Sequence, residues 1–446
     1  MLDVLANRTY RHLFLAQIIA LVGTGLATVA LGLLAYDIAG PNAGSVLGTA
    51  LAIKMVAYVG VAPVVGAFAN RLPRRAFLVT MDLIRAAVAV SLPFVSEIWQ
   101  IYILIFVLQS ASAAFTPTFQ ATIPDVLPDE KDYTRALSLS RLAYDMESLV
   151  SPMLAAALLT VISFHGLFAG TVVGFLFSAA LVVSVRLPQS HAVERSGSVY
   201  AKTFRGISIY LRTPRLRGLL ALNLAAAAAS SMVIVNTVVY VQGKLHRPST
   251  DVPFALAAFG FGSMLVALLL PRLLEKRPDR SAMMAGASIM AIGLLAGMAV
   301  ASSGGIFEWP AFLLTWFGIG LGYSMTLTPS GRPLKRSAAP ADRPAVFAAQ
   351  FSLSHACWLI TYPLAGQLGA RIGMASTFGV LAAVTLIGLV IAWRAWPASD
   401  LDELAHEHPD EPSLNEHLTE GHRIGERSHR HAFIIDDYHP KWPEDH

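Results

Sequence analysis

Twelve apolar runs of about 19–25 residues dominate this 446-residue chain. They cover 14–36, 45–69, 76–95, 98–119, 141–163, 167–185, 218–241, 253–271, 281–301, 310–328, 345–368 and 374–393. Each is long enough to cross a hydrocarbon core of about 30 Å. In lipid only helices and closed barrels satisfy their own backbone polar groups. The runs therefore predict an all-α polytopic membrane protein with twelve transmembrane helices. Only 14% of residues are charged, against about a quarter in soluble domains. The first run is too long for a cleaved signal peptide and lacks a small-residue cleavage site leading into a soluble domain. Cys357, the single cysteine, lies inside a run, which excludes an intrachain disulfide framework or thiolate cluster.

Charge sets the orientation. Of the 33 Lys and Arg residues, 27 fall on segments that twelve spans place on the side of the N-terminus. The opposite loops hold only Lys244, Arg247 and Arg371. By the positive-inside rule both termini are cytoplasmic. The net charge of +4 hides a tail from Pro397 onward with 13 acids against 4 Lys and Arg.

The interior divides into an N-terminal six-helix half (1–185), a basic linker (186–217) and a C-terminal six-helix half (218–396), followed by the acidic, His-rich tail (397–446). The linker reads either as a basic amphipathic segment on the membrane surface or as a solvated connection. A weak internal echo supports two halves: "RLPRR" (71–75) and "KRPDR" (276–280) follow the second and eighth spans at a constant offset of 205. Parallel halves of this kind are a transporter architecture.

"GAFANRLPRR" (66–75) resembles the loop 2–3 signature of the major facilitator superfamily, Gly-x-x-x-Asp-Arg-x-Gly-Arg-Arg. Gly66, Arg71, Arg74 and Arg75 match, while Asn70 replaces the usual Asp and Pro73 the usual Gly. "LLAYDIAGP" (33–41), "FTPTFQATIPDVLPDE" (115–130) and "ESLVSPMLAAAL" (147–158) resemble the branch holding bacterial siderophore exporters and other efflux permeases. The resemblance implies the major facilitator fold and export. It departs at span 4, where Phe106 stands at the Arg of many proton-driven members, ahead of Gln109-Ser110. It departs again at span 5, where Ser151-Pro152 and Ala155-Ala156 replace glycine pairs.

Charges inside spans are costly and mark candidate sites. On a helix advancing about 100° per residue, Arg141, Asp145, Ser148 and Pro152 share a face, while Glu147 lies about 160° away. Asp145 and Glu147 are therefore no carboxylate dyad. Arg141 and Asp145 are expected to pair with each other or with Arg71, Arg74 or Arg75, in a cytoplasmic gate between the halves. Glu147 is a cavity candidate, for a proton or a cationic substrate. Asp82 and Arg85, at i and i+3, read as mutual neutralisation or a coupling site. Lys54 either snorkels or faces a cavity. His355 suits a proton step or a structural hydrogen bond, and Asn223 and Asn236 either bind substrate or bridge helices. The Gly-rich stretches follow no strand and are not phosphate loops.

Eight of the 13 histidines lie in the tail, including the His406/His408 and His429/His431 pairs. These four are metal-ligand candidates on composition. Aromatic and aliphatic residues in "HAFIIDDYHPKW" (431–442) predict that this piece docks on the cytoplasmic face. The reading is a secondary active transporter, not an enzyme, exporting a small molecule by proton-coupled alternating access. A divalent-metal (Ni, Co or Zn) exporter using the tail is one alternative, and a non-transporting membrane sensor or scaffold is another. Expected partners are the bilayer, a small-molecule substrate, protons and a divalent metal at the tail, with no nucleic acid, no cofactor and a monomeric chain.

Overall fold

The computed structural model describes residues 2–69, 73–129, 132, 135–136, 139–140, 143, 150–151, 153–155, 157–188, 199–274, 277–303, 308–338, 342–398, 403–407, 422–423, 428–435, 439 and 442. The N-terminal half contains α1 (Arg8–Ala39), α2 (Ala43–Ala69), α3 (Arg74–Ser91), α4 (Ile98–Val126) and α5 (Phe164–Val183). The linker forms α6 (Val199–Arg212). Next come α7 (Pro214–Val238), α8 (Val252–Leu274), α9 (Asp279–Ser303), α10 (Glu308–Leu327), the short α11 (Gly331–Arg336) and α12 (Arg343–Ala395).

Among the described residues nine helical stretches are long and apolar enough to cross a membrane. Two of them run 54 and 51 residues: Arg8–Val61 takes in the run 14–36 and most of 45–69, and Ala345–Ala395 takes in the last two runs. Ten of the 23 residues of the run 141–163 lie outside the described residues, among them 144–149. Both long stretches are divided by glycine. Gly40 adopts φ 53° between α1 and α2, and Gly373, with φ 79° and ψ 169°, breaks α12 into two spans. A side chain would strain the backbone at either position. Helix ends overrun the apolar runs because polar caps continue the backbone pattern: Asn7 accepts from the Tyr10 amide at the head of α1, and Glu97 and Gln100 form a capping box on α4.

Small residues set the packing within each half. The Thr171 hydroxyl on α5 donates to the Gly23 carbonyl on α1 at 2.7 Å, and a Cβ at Gly174 would stand 3.0 Å from the Ile19 carbonyl oxygen. Ala225 to Ala229 on α7 are fully buried. Backbones this close gain dispersion and interhelical hydrogen bonds where lipid removes the hydrophobic drive.

The internal echo has structural content. Arg75 donates to the Val183 carbonyl at the end of α5. Arg280, its equivalent in "KRPDR", donates to the Trp396 and Trp393 carbonyls at 2.9 and 3.2 Å, at the end of α12. Each arginine satisfies terminal carbonyls of the last helix of its half, where cations complement the helix dipole. The preceding residues also correspond, with signs reversed: Arg74 pairs with Asp125 at the end of α4, and Asp279 pairs with Arg332 after α10. Arg280→Ala is expected to cost about 1.5–3 kcal/mol, the range for hydrogen bonds to charged groups. Thermal unfolding of the purified protein checks this, and an unchanged midpoint contradicts it.

Within the linker, Val199–Arg212 is an amphipathic helix and not only a solvated connection. Arg205 forms an ion pair with Asp342 at 2.9 Å, and the Tyr210 hydroxyl donates to Gln350. Burial raises the Tyr210 pKa, so its phenol stays a donor. The tail departs from the all-helical expectation by adding a small antiparallel sheet, ordered β1 (Glu403–Glu407), β3 (Ser428–Ala432), β2 (His422–Arg423). Its strands are too polar to show an alternating apolar signal. Beyond them Phe433 and Ile435 are buried, and Trp442 stacks on Arg215, its ring centre 5.5 Å from Cζ. That segment docks at the head of α7.

Candidate functional site

The two halves meet through α2 and the first span of α12. A Cβ on Gly48 would lie 2.5 Å from the Tyr362 carbonyl oxygen, and one on Gly366 would collide with the Gly44 carbonyl. Gln367 donates across the seam to Ser45 at 2.8 Å. Asn236 of α7 closes the corner. It is fully buried, donates to the Ala365 carbonyl at 3.0 Å, and sets its Oδ1 over Gly44 and Gly369. The seam therefore closes at the ends of α1, α7 and the first span of α12, the side away from the N-terminus.

Following α2 from this seam leads to the candidate site. Lys54 lies ten residues beyond Gly44, its Nζ 5.7 Å from the centre of the Tyr58 ring. Tyr58 also meets two residues of α12: His355, stacked at 5.6 Å with an interplanar angle of 11°, and Phe351 at 6.2 Å. The His355 Nδ1 is 2.7 Å from the Phe351 carbonyl, so it donates there and leaves Nε2 for other chemistry. A cationic residue of one half and an imidazole of the other thus share one aromatic ring.

Lys54 also lines a small recess with Thr24, Thr28, Leu51, Gln109 and Ser112. Hydroxyls and an amide set into apolar walls are the composition of a small-molecule site. Gln109 of the span-4 departure is in this wall, whereas Phe106 lies on the exposed flank of α4.

Asp82 and Arg85 pair with each other beneath the recess. Ser178 adds a hydrogen bond to Asp82 at 2.7 Å, and the guanidinium sits 4.3 and 4.5 Å from the Phe115 and Phe175 rings. Asp82 is fully buried and Arg85 5% exposed, so the two charges neutralise each other inside the helix bundle. Asn223 donates to the Leu219 carbonyl of its own helix at 2.8 Å.

The expected pairing of the gate signature with Arg141 or Asp145 falls outside the described residues, which show other contacts of Arg74 and Arg75. Arg74 finds Asp125, and Arg75 the Val183 carbonyl, both within the N-terminal half. These contacts brace that half and do not bridge the two. The proximity of Arg74 to the end of α4 decides the pairing. Gly66 lies in α2. Asn70, Arg71, Arg141, Asp145, Glu147 and His408 lie outside the described residues. His406, His429 and His431 fall on the tail sheet.

Sequence reading passed over Tyr58, because a tyrosine in an apolar run carries no charge signal. It also missed a second polar group at the sealed end: Glu308 accepts from Tyr240 at 2.8 Å and pairs with Lys244 at 3.0 Å, beside a π-helical turn (Val239–Lys244). Irregular helical turns of this kind recur at functional positions.

Comparison with known proteins decides the family. Residues 13–303 and 219–423 match the Major Facilitator Superfamily. The chain belongs to that superfamily. It is a secondary transporter and not an enzyme. The Bacillus subtilis protein YfiS, an uncharacterized MFS-type transporter, is 25% identical over 401 residues, 85% of this chain and 93% of its own length. Macrolide efflux protein A of Enterococcus faecalis is 27% identical over 153 residues, 32% of this chain and 47% of its own length. A variant of the nucleoside transporter NupG superposes with a TM-score of 0.69 at 12% identity, over 87% of this chain and 100% of its own. At that identity the likeness speaks for the fold alone.

Proposed function

We propose that this transporter exports an amphipathic organic molecule across the bacterial plasma membrane, with both termini cytoplasmic and the proton gradient as driving force. The observation that carries the reading is the Lys54–Tyr58–His355 ladder, which joins the halves beside the recess. Protonating His355 would place a second positive charge against Lys54 across the seam. Repulsion there gives a proton differential affinity for the two gate states, which coupling requires. The usual span-4 arginine is replaced by Phe106, so the coupling role falls to another titratable group. Positive-inside orientation makes the sealed end the outer one, and cytoplasmic loading is the order an exporter needs. The partial match to macrolide efflux proteins supports an organic substrate.

Uptake of a labelled macrolide into everted membrane vesicles tests this. Uptake is expected to follow an imposed inside-acid gradient and to stop when the gradient is collapsed. His355→Ala and Lys54→Ala are each expected to lower the gradient-driven rate at least about tenfold, the scale of a lost proton-transfer group, with unchanged protein level. Gradient-driven uptake that both variants retain contradicts the ladder as the coupling site. Uptake indifferent to the gradient contradicts proton drive.

A further inference from the structure

We propose that the outward face of α6 binds anionic phospholipid of the cytoplasmic leaflet, its apolar strip set in the bilayer edge and its arginines at the phosphates. A helix advancing about 100° per residue divides α6 into two sides. Gly206, Ile209 and Tyr210 are buried on one of them. Phe204, Ile207 and Leu211, spaced i, i+3 and i+7, lie within about 60° of one another on the other. Phe204 is 69% exposed and Leu211 44%. Arg205 and Arg212 border this strip about 80–100° from Phe204. Arg212 is exposed, as is Arg217 one turn into α7. An apolar strip with a basic border is the pattern of helices that lie in the membrane interface.

Packing fixes the depth. Arg205 meets Asp342, just ahead of the apolar run 345–368. Gly206 lies against the carbonyl of Ala345, the first residue of that run, with no room for a Cβ between them. Tyr210 donates to Gln350, five residues farther in. At 1.5 Å per residue that is about 7.5 Å past the start of the run. Interfacial helices bury their apolar face about 5–10 Å into the boundary of headgroups and acyl chains. α6 therefore leaves the aqueous side at Arg205 and reaches that boundary by Tyr210 and Leu211.

Charge and depth together select the occupant. Residues 186–217 carry seven Lys and Arg against one acid, Glu194, and that basic excess is what assigns the linker to the cytoplasmic side. The cytoplasmic leaflet is negatively charged, and each Lys or Arg at its surface strengthens binding roughly fivefold. An acidic peptide would satisfy the arginines, but acyl chains already fill the depth at which Leu211 stands. Because α6 is fastened to α12 through Asp342 and Gln350, lipid held on α6 anchors the end of that span opposite the seam.

Spin labels at Phe204→Cys and Leu211→Cys, in a Cys357→Ser background of the full-length protein, test the depth in nanodiscs of phosphatidylglycerol and phosphatidylcholine. Collisions with oxygen, which partitions into lipid, should exceed those with a water-soluble nickel chelate at both sites. The excess should be smaller than at Leu314→Cys, an exposed position within α10. Native mass spectrometry of the unlabelled protein reads the lipid that stays bound. Phosphatidylglycerol should be retained over phosphatidylcholine, and Arg212→Gln with Arg217→Gln should lower that preference at least about fivefold. Arg8→Gln with Arg11→Gln, at the head of α1, should leave it unchanged. Size-exclusion profiles identify any variant that fails to fold, and the labelled proteins keep both arginines. Labels that meet the chelate more than oxygen put the face in water, and labels shielded from both put it under a protein surface. Either result overturns the site, as does a lipid preference that the linker double variant retains.

Discussion

Gly366→Val is expected to reduce transport by about tenfold to a hundredfold while the protein still folds and reaches the membrane. The side chain would enter the space held by the Gly44 backbone, where α2 and α12 touch. Overpacking of this kind costs about 1–3 kcal/mol, and about 1.4 kcal/mol is a tenfold change in an equilibrium. The cost falls on the sealed state alone, because only there do the two backbones meet. A transporter that cannot populate one gate state cannot complete its cycle. Gly60→Val is the control: it lies on α2, the partner helix at the seam, and a Cβ there meets nothing within 4 Å. Initial rates in vesicles, compared at equal protein level, check both. Equal losses in the two variants would show that the Gly44–Gly366 contact is not what limits transport.

The second large effect concerns stability. Arg85→Met keeps most of the packing between Phe115 and Phe175 but leaves Asp82 at 0% exposure without its arginine. Removing one partner of a buried pair costs about 3–5 kcal/mol, whereas replacing both by apolar residues is often neutral. The single variant is therefore expected to unfold far below the wild type in detergent. The double variant Asp82→Leu with Arg85→Met should recover most of the loss. Thermal unfolding monitored by size-exclusion separates the cases. A single variant as stable as the double would mean that Ser178 and the helix satisfy the carboxylate unaided.

What was legible in the sequence follows from what lipid enforces. Apolar length alone marked the spans, because a helix in hydrocarbon needs no finer code than being apolar throughout. Gly40 and Gly373 could be read only as breaks between runs, and their positive φ explains why single residues suffice there. The five-residue echo at 71–75 and 276–280 looked weak as a string. Its weight lies in equivalent contacts, Arg75 and Arg280 each holding the carbonyls of a terminal helix.

The site was less legible. Lys54 and His355 announced themselves as charges in apolar runs, but nothing in the order of residues joins positions 301 apart. Tyr58, which links them, looks like any buried aromatic. The Arg74–Asp125 pair was hidden for the same reason: i and i+4 rules speak within a helix, and the choice of Asp125 is made by helix packing. In the tail, docking was legible from aromatic residues with no other use. The sheet was not, because its strands are polar on both faces.

The central claim is that α2 and α12 form a seam that must open and close during transport. The most direct test places cysteines at Ser45 and Gln367, now joined by a 2.8 Å hydrogen bond, in a Cys357→Ser background. A short, reducible bis-thiol reagent should bridge them readily and bring transport to background, and reduction should restore it. A bridged protein that transports at the uncrosslinked rate would contradict the account, as would two cysteines that each take the reagent but never join.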